Sequence, residues 1–295
     1  GYGVRFYPNF RCQVRRPGKD DHGKKFIVEI LVRKPELMKD IAHESGAYHV
    51  TGEAQYIDDL LVNQRLLHGR VVYIKVAHGK IVGCSIEKAK KLPGVRAILT
   101  YQDIPGDNQM GPIFHDELVL AKDRVTFVGQ AILLIAAESE EIAIEAERMI
   151  EIKYEELPSI LSIRDAIEKG KLIQPARKIE TGSLNKAFAK SDHYIEGELE
   201  IGGQEQWYLE TQVALAYPGE GVELLVHSST QNPSETQAIV SEVLRIPKNE
   251  IEVQVRRMGG AFGGKETQAN HVAVWASLLA FQTRRPVKIR LFRDD

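Results

Sequence analysis

Four of the nine residues from Met258 to Glu266 are glycine, and the run separates a strand-like stretch, Glu250 to Arg256, from an apolar helical stretch at about 267–282. Glycine removes the side chain where a backbone must come close to something. A loop of this kind leading into a helix gathers N–H groups into a site for anions or oxo groups. Just before it, Gly221 to Ser228 reads as a strand whose end runs on to Gln231, and Asn232-Pro233 opens a helix. Asn is a good N-cap, and Pro at the first helical position gives up an N–H that has no partner there. Ile239, Val243 and Leu244 form that helix's buried stripe. A strand at Val287 to Phe292 closes the chain. The order strand, helix, strand, glycine loop, helix, strand puts Gln231 and the loop at the carboxyl ends of two successive strands. If those strands are parallel, both loops open on one side of the sheet, where α/β sheets bind ligands.

Two alternatives to a ligand loop stand beside this reading. Gly259 through Gly264-Lys265 follows the phosphate-binding P-loop spacing up to its last position, where Glu266 occupies the place of the magnesium-ligating Ser or Thr. A carboxylate there would sit beside phosphates. The blander alternative is a tight strand-to-helix turn with Phe262 plugging the core. Lys265 and Glu266 argue against it, as two charges next to a Gly-lined cleft with the Gln231 amide nearby.

At 295 residues the chain exceeds the usual size of one core, so two domains are expected, meeting near residue 170. In the first half short apolar runs alternate with turn residues: strands at Leu67 to Ile74, Ala97 to Thr100, Arg124 to Val128 and Gln130 to Ala136, with Gly129 at a bend. Ser139 caps a helix running to about Met149, Ile150 to Tyr154 is a further strand, and Ser162 to Lys169 a short helix. After the boundary, His193 to Ile201 and Glu210 to Tyr217 read as strands. The fold class expected is α+β. Residues 1–40 are unassigned: a basic stretch, Arg15 to Lys19, reads as a solvated arm or a docking surface, and Phe26 to Val32 as a strand.

Lys and Arg number 39 against 41 Asp and Glu, a net charge of -2, which lacks the basic excess of nucleic-acid or anionic-membrane binders. Cys12 and Cys84 have no neighbours at metal-ligand spacing. The longest apolar run, Ala131 to Ala137, is far short of the roughly 20 residues that span a bilayer. Together these features predict a soluble cytoplasmic protein with no nucleic-acid or membrane partner.

Three motifs in order, Gly203-Gln204-Glu205-Gln206-Trp207-Tyr208-Leu209-Glu210, Ser229-Thr230-Gln231-Asn232 and Arg257 to Glu266, resemble the molybdopterin-binding subunit of xanthine dehydrogenases, which are molybdenum hydroxylases. Thr51 to Asp59 and Glu155-Glu156-Leu157-Pro158 are similar to that family's hammerhead domain. The resemblance covers residue 41 onward and implies a hammerhead-like domain at 41–170 followed by the first part of a molybdopterin-binding domain at 171–295. It implies a molybdenum pterin cofactor with no direct protein ligand to the metal from this region. Gln231 then hydrogen-bonds an oxo ligand, and Gly260, Ala261, Phe262 and Gly263 line the metal and pterin. From their position just before the glycine loop, Arg256 and Arg257 are expected to meet a pterin phosphate. Glu266 is the candidate catalytic-site residue and orients a purine substrate. Glu266 leans the reading toward purines; Ala261, where xanthine enzymes often carry Gly, leans weakly toward aldehydes. The reaction implied is hydroxylation with water as oxygen source, its general base a glutamate outside this sequence. The chain alone is therefore expected to be incomplete, with partners supplying the remaining molybdopterin domain, the [2Fe-2S] clusters and the FAD.

Other residues carry weaker signals. Glu205 and Glu210 read as charges around a strand end or, less simply, as a paired-carboxylate site. His43, His49, His78 and His115 are scattered, and Trp207 and Tyr208 read as core or subunit-contact aromatics. A non-catalytic scaffold and a nucleotide-binding protein remain the competing functions.

Overall fold

The computed structural model describes residues 43–60, 62 and 65–294. The expected strand at Phe26 to Val32, the basic stretch and Cys12 lie outside the described residues. A first compact unit ends at Ala54, and its described residues include a short helix, α1 (Gly46–Thr51). From Gln55 on, the strands are β1 (Leu67–Tyr73), β2 (Gly79–Ser85), β3 (Val95–Leu99), β4 (Arg124–Val125), β5 (Ala131–Ala137), β6 (Glu151–Glu156), β7 (Val213–Pro218), β8 (Leu224–Ser228), β9 (Ile251–Gln254) and β10 (Val287–Arg290). The helices among them are α2 (Glu87–Lys90), α3 (Glu140–Arg148), α4 (Ile163–Glu168), α5 (Leu184–Ala189), α6 (Pro233–Leu244) and α7 (Ala269–Thr283).

Seven strands form one mixed sheet in the order β3-β5-β1-β10-β7-β8-β9, and β4-β2-β6 form a small antiparallel sheet. Strands from both halves of the sequence share the large sheet, joined where β1 pairs in parallel with β10 through Leu67 and Val287. All seven residues of β5 are buried, as a continuous apolar run covered on both faces requires. Helix α7 is apolar all round and buries Ala269 to Ala280 almost throughout; such a helix belongs inside a core. It lies over β7, β8 and β10 and against α6. Trp275 in its middle donates from Nε1 to the Val119 carbonyl at 3.0 Å.

Local chemistry sets several boundaries where the sequence puts them. The Ser139 hydroxyl accepts from the Ile142 N–H and starts α3, and Asn232 Oδ1 accepts from the Glu235 N–H at 3.2 Å with Pro233 at the first helical position of α6. Elsewhere the structure departs from expectation. His193 to Ile201 forms no strand: Ile195, Leu199 and Ile201 are exposed, and among the described residues no neighbouring strand offers ladder hydrogen bonds or an apolar face to cover them. The strand expected to run to Val128 stops at Val125, because the chain turns back through Gly129 at φ 87°. Strand β2, with glycines at 79 and 83 and a mostly exposed face, carries too weak an alternation to be read from sequence.

Candidate functional site

Strands β8 and β9 are parallel, in register from Leu224 and Ile251 to His227 and Gln254. The segment after β8, Ser229 to Asn232, and the glycine run after β9 therefore leave the same edge of the sheet, as the parallel condition requires. The two segments are tied together. The Gln231 N–H donates to the Lys265 carbonyl at 2.9 Å, and Gln231 Oε1 accepts from the Gly263 N–H at 3.1 Å and the Lys265 N–H at 3.4 Å. Two backbone donors on one amide oxygen fix which way the amide faces. The Gln231 side chain is exposed, and its Nε2 donates to nothing among the described residues. An oriented NH2 group thus points outward from the sheet edge.

The glycines do two jobs. At Gly259 a Cβ would stand 2.5 Å from Glu210 Cβ, so the loop lies flat on the 206–210 segment. At Gly263 a Cβ would meet nothing within 4 Å, but φ is 91°, a conformation that L side chains rarely adopt. Phe262 also has positive φ, 51°, and is 76% exposed. It does not plug the core, and the tight-turn reading loses its main support. The Phe262–Gly263 backbone forms the outer surface of the loop beside the Gln231 amide.

Lys265 departs from expectation. Its ammonium does not border the cleft; the side chain is completely buried beneath the loop. Nζ donates to the Glu210 carbonyl at 2.8 Å, Glu210 Oε2 at 3.0 Å and Ser229 Oγ at 2.9 Å, and lies 4.7 Å from the Tyr208 ring centre. Glu210 Oε2 also accepts from Ser229 Oγ at 2.6 Å and from the Gly259 N–H at 2.9 Å. Burial pulls the Lys265 ammonium below its ordinary pKa, and the hydrogen bond and charge of Glu210 oppose that pull. Glu210 stands near a strand end in sequence, but its partner is not legible there: the lysine lies 55 residues away, a separation no local pattern spans. Glu205 stays exposed and makes no carboxylate pair with Glu210.

The remaining candidates sit around this frame. Glu266 is exposed, and its N–H donates to the Gly263 carbonyl at 3.4 Å. Gly260 has φ 99°; Ala261 is buried and its carbonyl accepts from the Gly264 N–H at 2.8 Å. Arg257 Nη1 donates to the Gln55 carbonyl at 2.7 Å, while its buried Nε has no partner among the described residues. Trp207 is exposed and lies 5.0 Å from the Arg293 guanidinium, so it is not a core aromatic. Among the described residues no group of three or more His, Cys, Asp or Glu could hold a metal ion, and no helix is long and apolar enough to cross a membrane. The donor displayed at the loop, the Gln231 amide NH2, suits an electronegative atom of a bound group rather than a bare cation, and the bare glycine at 263 leaves room for that group to come close.

Residues 167–295 match the molybdopterin cofactor-binding domain, and residues 51–158 match the a/b hammerhead domain of aldehyde oxidase and xanthine dehydrogenase. A xanthine dehydrogenase from Dictyostelium discoideum is 42% identical over 261 residues, 88% of this chain and 19% of that protein. A xanthine dehydrogenase/oxidase from Mus musculus is 43% identical over 258 residues, 87% of this chain and 19% of that one. The aldehyde oxidoreductase from Desulfovibrio gigas is similar in structure, with a TM-score of 0.75 and 27% identity over 84% of this chain and 29% of that one. The chain thus spans about a fifth of the length of the curated relatives it matches.

Proposed function

Since the chain belongs to the xanthine dehydrogenase and aldehyde oxidase family of molybdenum hydroxylases, we propose that it forms the cofactor-holding part of a purine-oxidising hydroxylase. The observation that carries this reading is the Gln231 amide: its oxygen is held by the Gly263 and Lys265 N–H groups, leaving Nε2 aimed outward as a donor. When bound, a molybdenum pterin supplies two-electron oxidation with water as the source of oxygen. Gln231 Nε2 donates a hydrogen bond to an electronegative ligand of the group. The Phe262–Gly263 backbone, free of any side chain at 263, lets the group approach closely. Glu266, exposed beside the loop and without a side-chain partner among the described residues, accepts hydrogen bonds from the N–H edges of a purine and so orients it. Arg257, whose Nη1 is held by the Gln55 carbonyl, anchors the start of the loop and puts a positive charge there for a pterin phosphate.

In this reading residues 41–170 are the hammerhead-like domain and 171–295 the first part of the cofactor domain. The general base, the iron–sulfur clusters and the FAD belong to the rest of the polypeptide or to companion chains. A second reading, aldehyde oxidation, is favoured by Ala261, whose methyl group fills a buried position at the loop, and by the structural likeness to an aldehyde oxidoreductase. The test is metal and pterin analysis of the complete protein from its native source, followed by assays with hypoxanthine, xanthine and aromatic aldehydes. Molybdenum with a pterin and faster purine turnover are expected. Aldehyde turnover alone selects the second reading, and protein without molybdenum overturns both in favour of a scaffold.

A further inference from the structure

Beneath the loop, Lys265 and Glu210 form a closed cycle with Ser229. The three ammonium donors are used on the Glu210 carbonyl, Glu210 Oε2 and Ser229 Oγ, and Ser229 Oγ passes a hydrogen bond on to the same Oε2. That oxygen accepts, in addition, the N–H of Gly259 at the start of the loop. One carboxylate oxygen therefore ties together the 210 segment, the end of β8 and the glycine run. The backbone of Lys265 continues the chain of contacts outward. Its carbonyl receives the Gln231 N–H at 2.9 Å and the Thr230 hydroxyl at 3.3 Å, and its N–H goes to Gln231 Oε1. Gln212 Nε2 holds the Gly264 carbonyl at 3.0 Å from below.

We propose that Lys265 and Glu210, closed through Ser229, are positioning residues that set where the Gln231 amide and the Phe262–Gly263 backbone stand against the bound cofactor. Lys265 touches nothing outside the protein, since its side chain has no exposed surface; it is neither a phosphate ligand nor a nucleophile. Its charge is needed because three acceptors converge on Nζ, which only the three-donor ammonium form can serve at once, and because the carboxylate opposite it is almost buried. Groups that orient the residues meeting a metal centre alter its affinity or activity by about 10- to 100-fold when removed, and the same scale is expected here.

The inference rests on the loop being the cofactor site. It is tested in the complete enzyme with Lys265→Met, Glu210→Gln, the double variant and Ser229→Ala. The readouts are molybdenum per polypeptide, the molybdenum EPR signal, kcat and KM per bound molybdenum, and the melting temperature. Wild-type enzyme without molybdenum overturns the cofactor reading, and this inference with it, before any variant is compared. With molybdenum present, the single variants are expected to lower kcat about 10- to 100-fold with little change in KM, and to shift the EPR signal. The double variant, which leaves no unpaired charge buried, is expected to regain melting temperature without regaining kcat or the EPR signal. Recovery of all three together assigns the pair to stability alone and overturns the proposal, as do single variants with wild-type kcat and signal. Where the single variants do not fold, Ser229→Ala decides, because it keeps both charges: a lowered kcat supports positioning, and a wild-type kcat overturns it.

Discussion

Trp275 Nε1 donates to the carbonyl of Val119 across 156 residues of sequence, at 3.0 Å and buried. The bond fixes helix α7 to the loop that precedes β4. Trp275→Phe keeps most of the ring volume and leaves the Val119 carbonyl buried without a donor, which costs about 1–3 kcal/mol. Urea unfolding measures this directly; a loss below about 0.5 kcal/mol would mean that another donor reaches the carbonyl.

Gly259 and Gly263 should respond differently to alanine. At 259 the new Cβ meets Glu210 Cβ at 2.5 Å, so the loop must lift from the segment below it, at about 1–3 kcal/mol for overpacking. At 263 there is room for the Cβ, but φ is 91°, and left-handed backbone costs an L residue about 1–2 kcal/mol. Gly259→Ala is also expected to disturb the Glu210–Lys265 pair and to lower molybdenum content in the complete enzyme. Melting temperatures with metal analysis check both; because 263 is the position where the cofactor comes close, a Gly263→Ala enzyme with wild-type molybdenum content and kcat contradicts that role.

His227, on β8 facing the Tyr217 ring, has its pKa lowered, first by burial and then by Arg256, against a smaller opposing effect of Glu252. A lowered folded-state value means that the unfolded chain binds the proton more readily. The stability this histidine contributes is therefore present above its ordinary pKa, near 6.5, and is lost as pH falls through the lower folded value. His68 is shifted the same way by burial, with Glu140 opposing. His227→Gln should flatten the fall in unfolding free energy below about pH 6.5 without abolishing it, since His68 remains. An unchanged slope in that window would show that His227 takes no part.

Glu266 tests the substrate class. In the complete enzyme Glu266→Val should lower kcat/KM for purines by about 10- to 100-fold, the worth of hydrogen bonds to a charged group. Aldehydes, with no N–H edge to hold, should lose much less. Equal losses on xanthine and on an aromatic aldehyde would remove the orienting role.

Much of the site's frame could be read from local chemistry. Asn232-Pro233 and Ser139 mark helix starts because capping depends on the residue and its next three neighbours. The adjacency of Gln231 and the glycine loop followed from the element order once β8 and β9 were taken as parallel. The polarity of Lys265 was not legible. A lysine after two glycines, beside Glu266, reads as a surface charge, and what reverses it is a carboxylate and a hydroxyl brought in from Glu210 and Ser229 by tertiary folding. For the same reason His193 to Ile201 misled: alternation describes a face but does not supply the neighbour that a strand needs.

The place of β10 bears on how the chain reaches this structure. Val287–Arg290 enters the middle of the large sheet, between β1 and β7, and its parallel pairing with β1 joins Leu67 to Val287. During synthesis β1 and β7 must each wait with one edge open until more than two hundred further residues, or some seventy, have been made. Such non-local pairing is slow, and unpaired strand edges recruit other chains. Release of the finished β10 is the step that seals both edges at once, so refolding yield should depend on concentration most steeply before that strand docks.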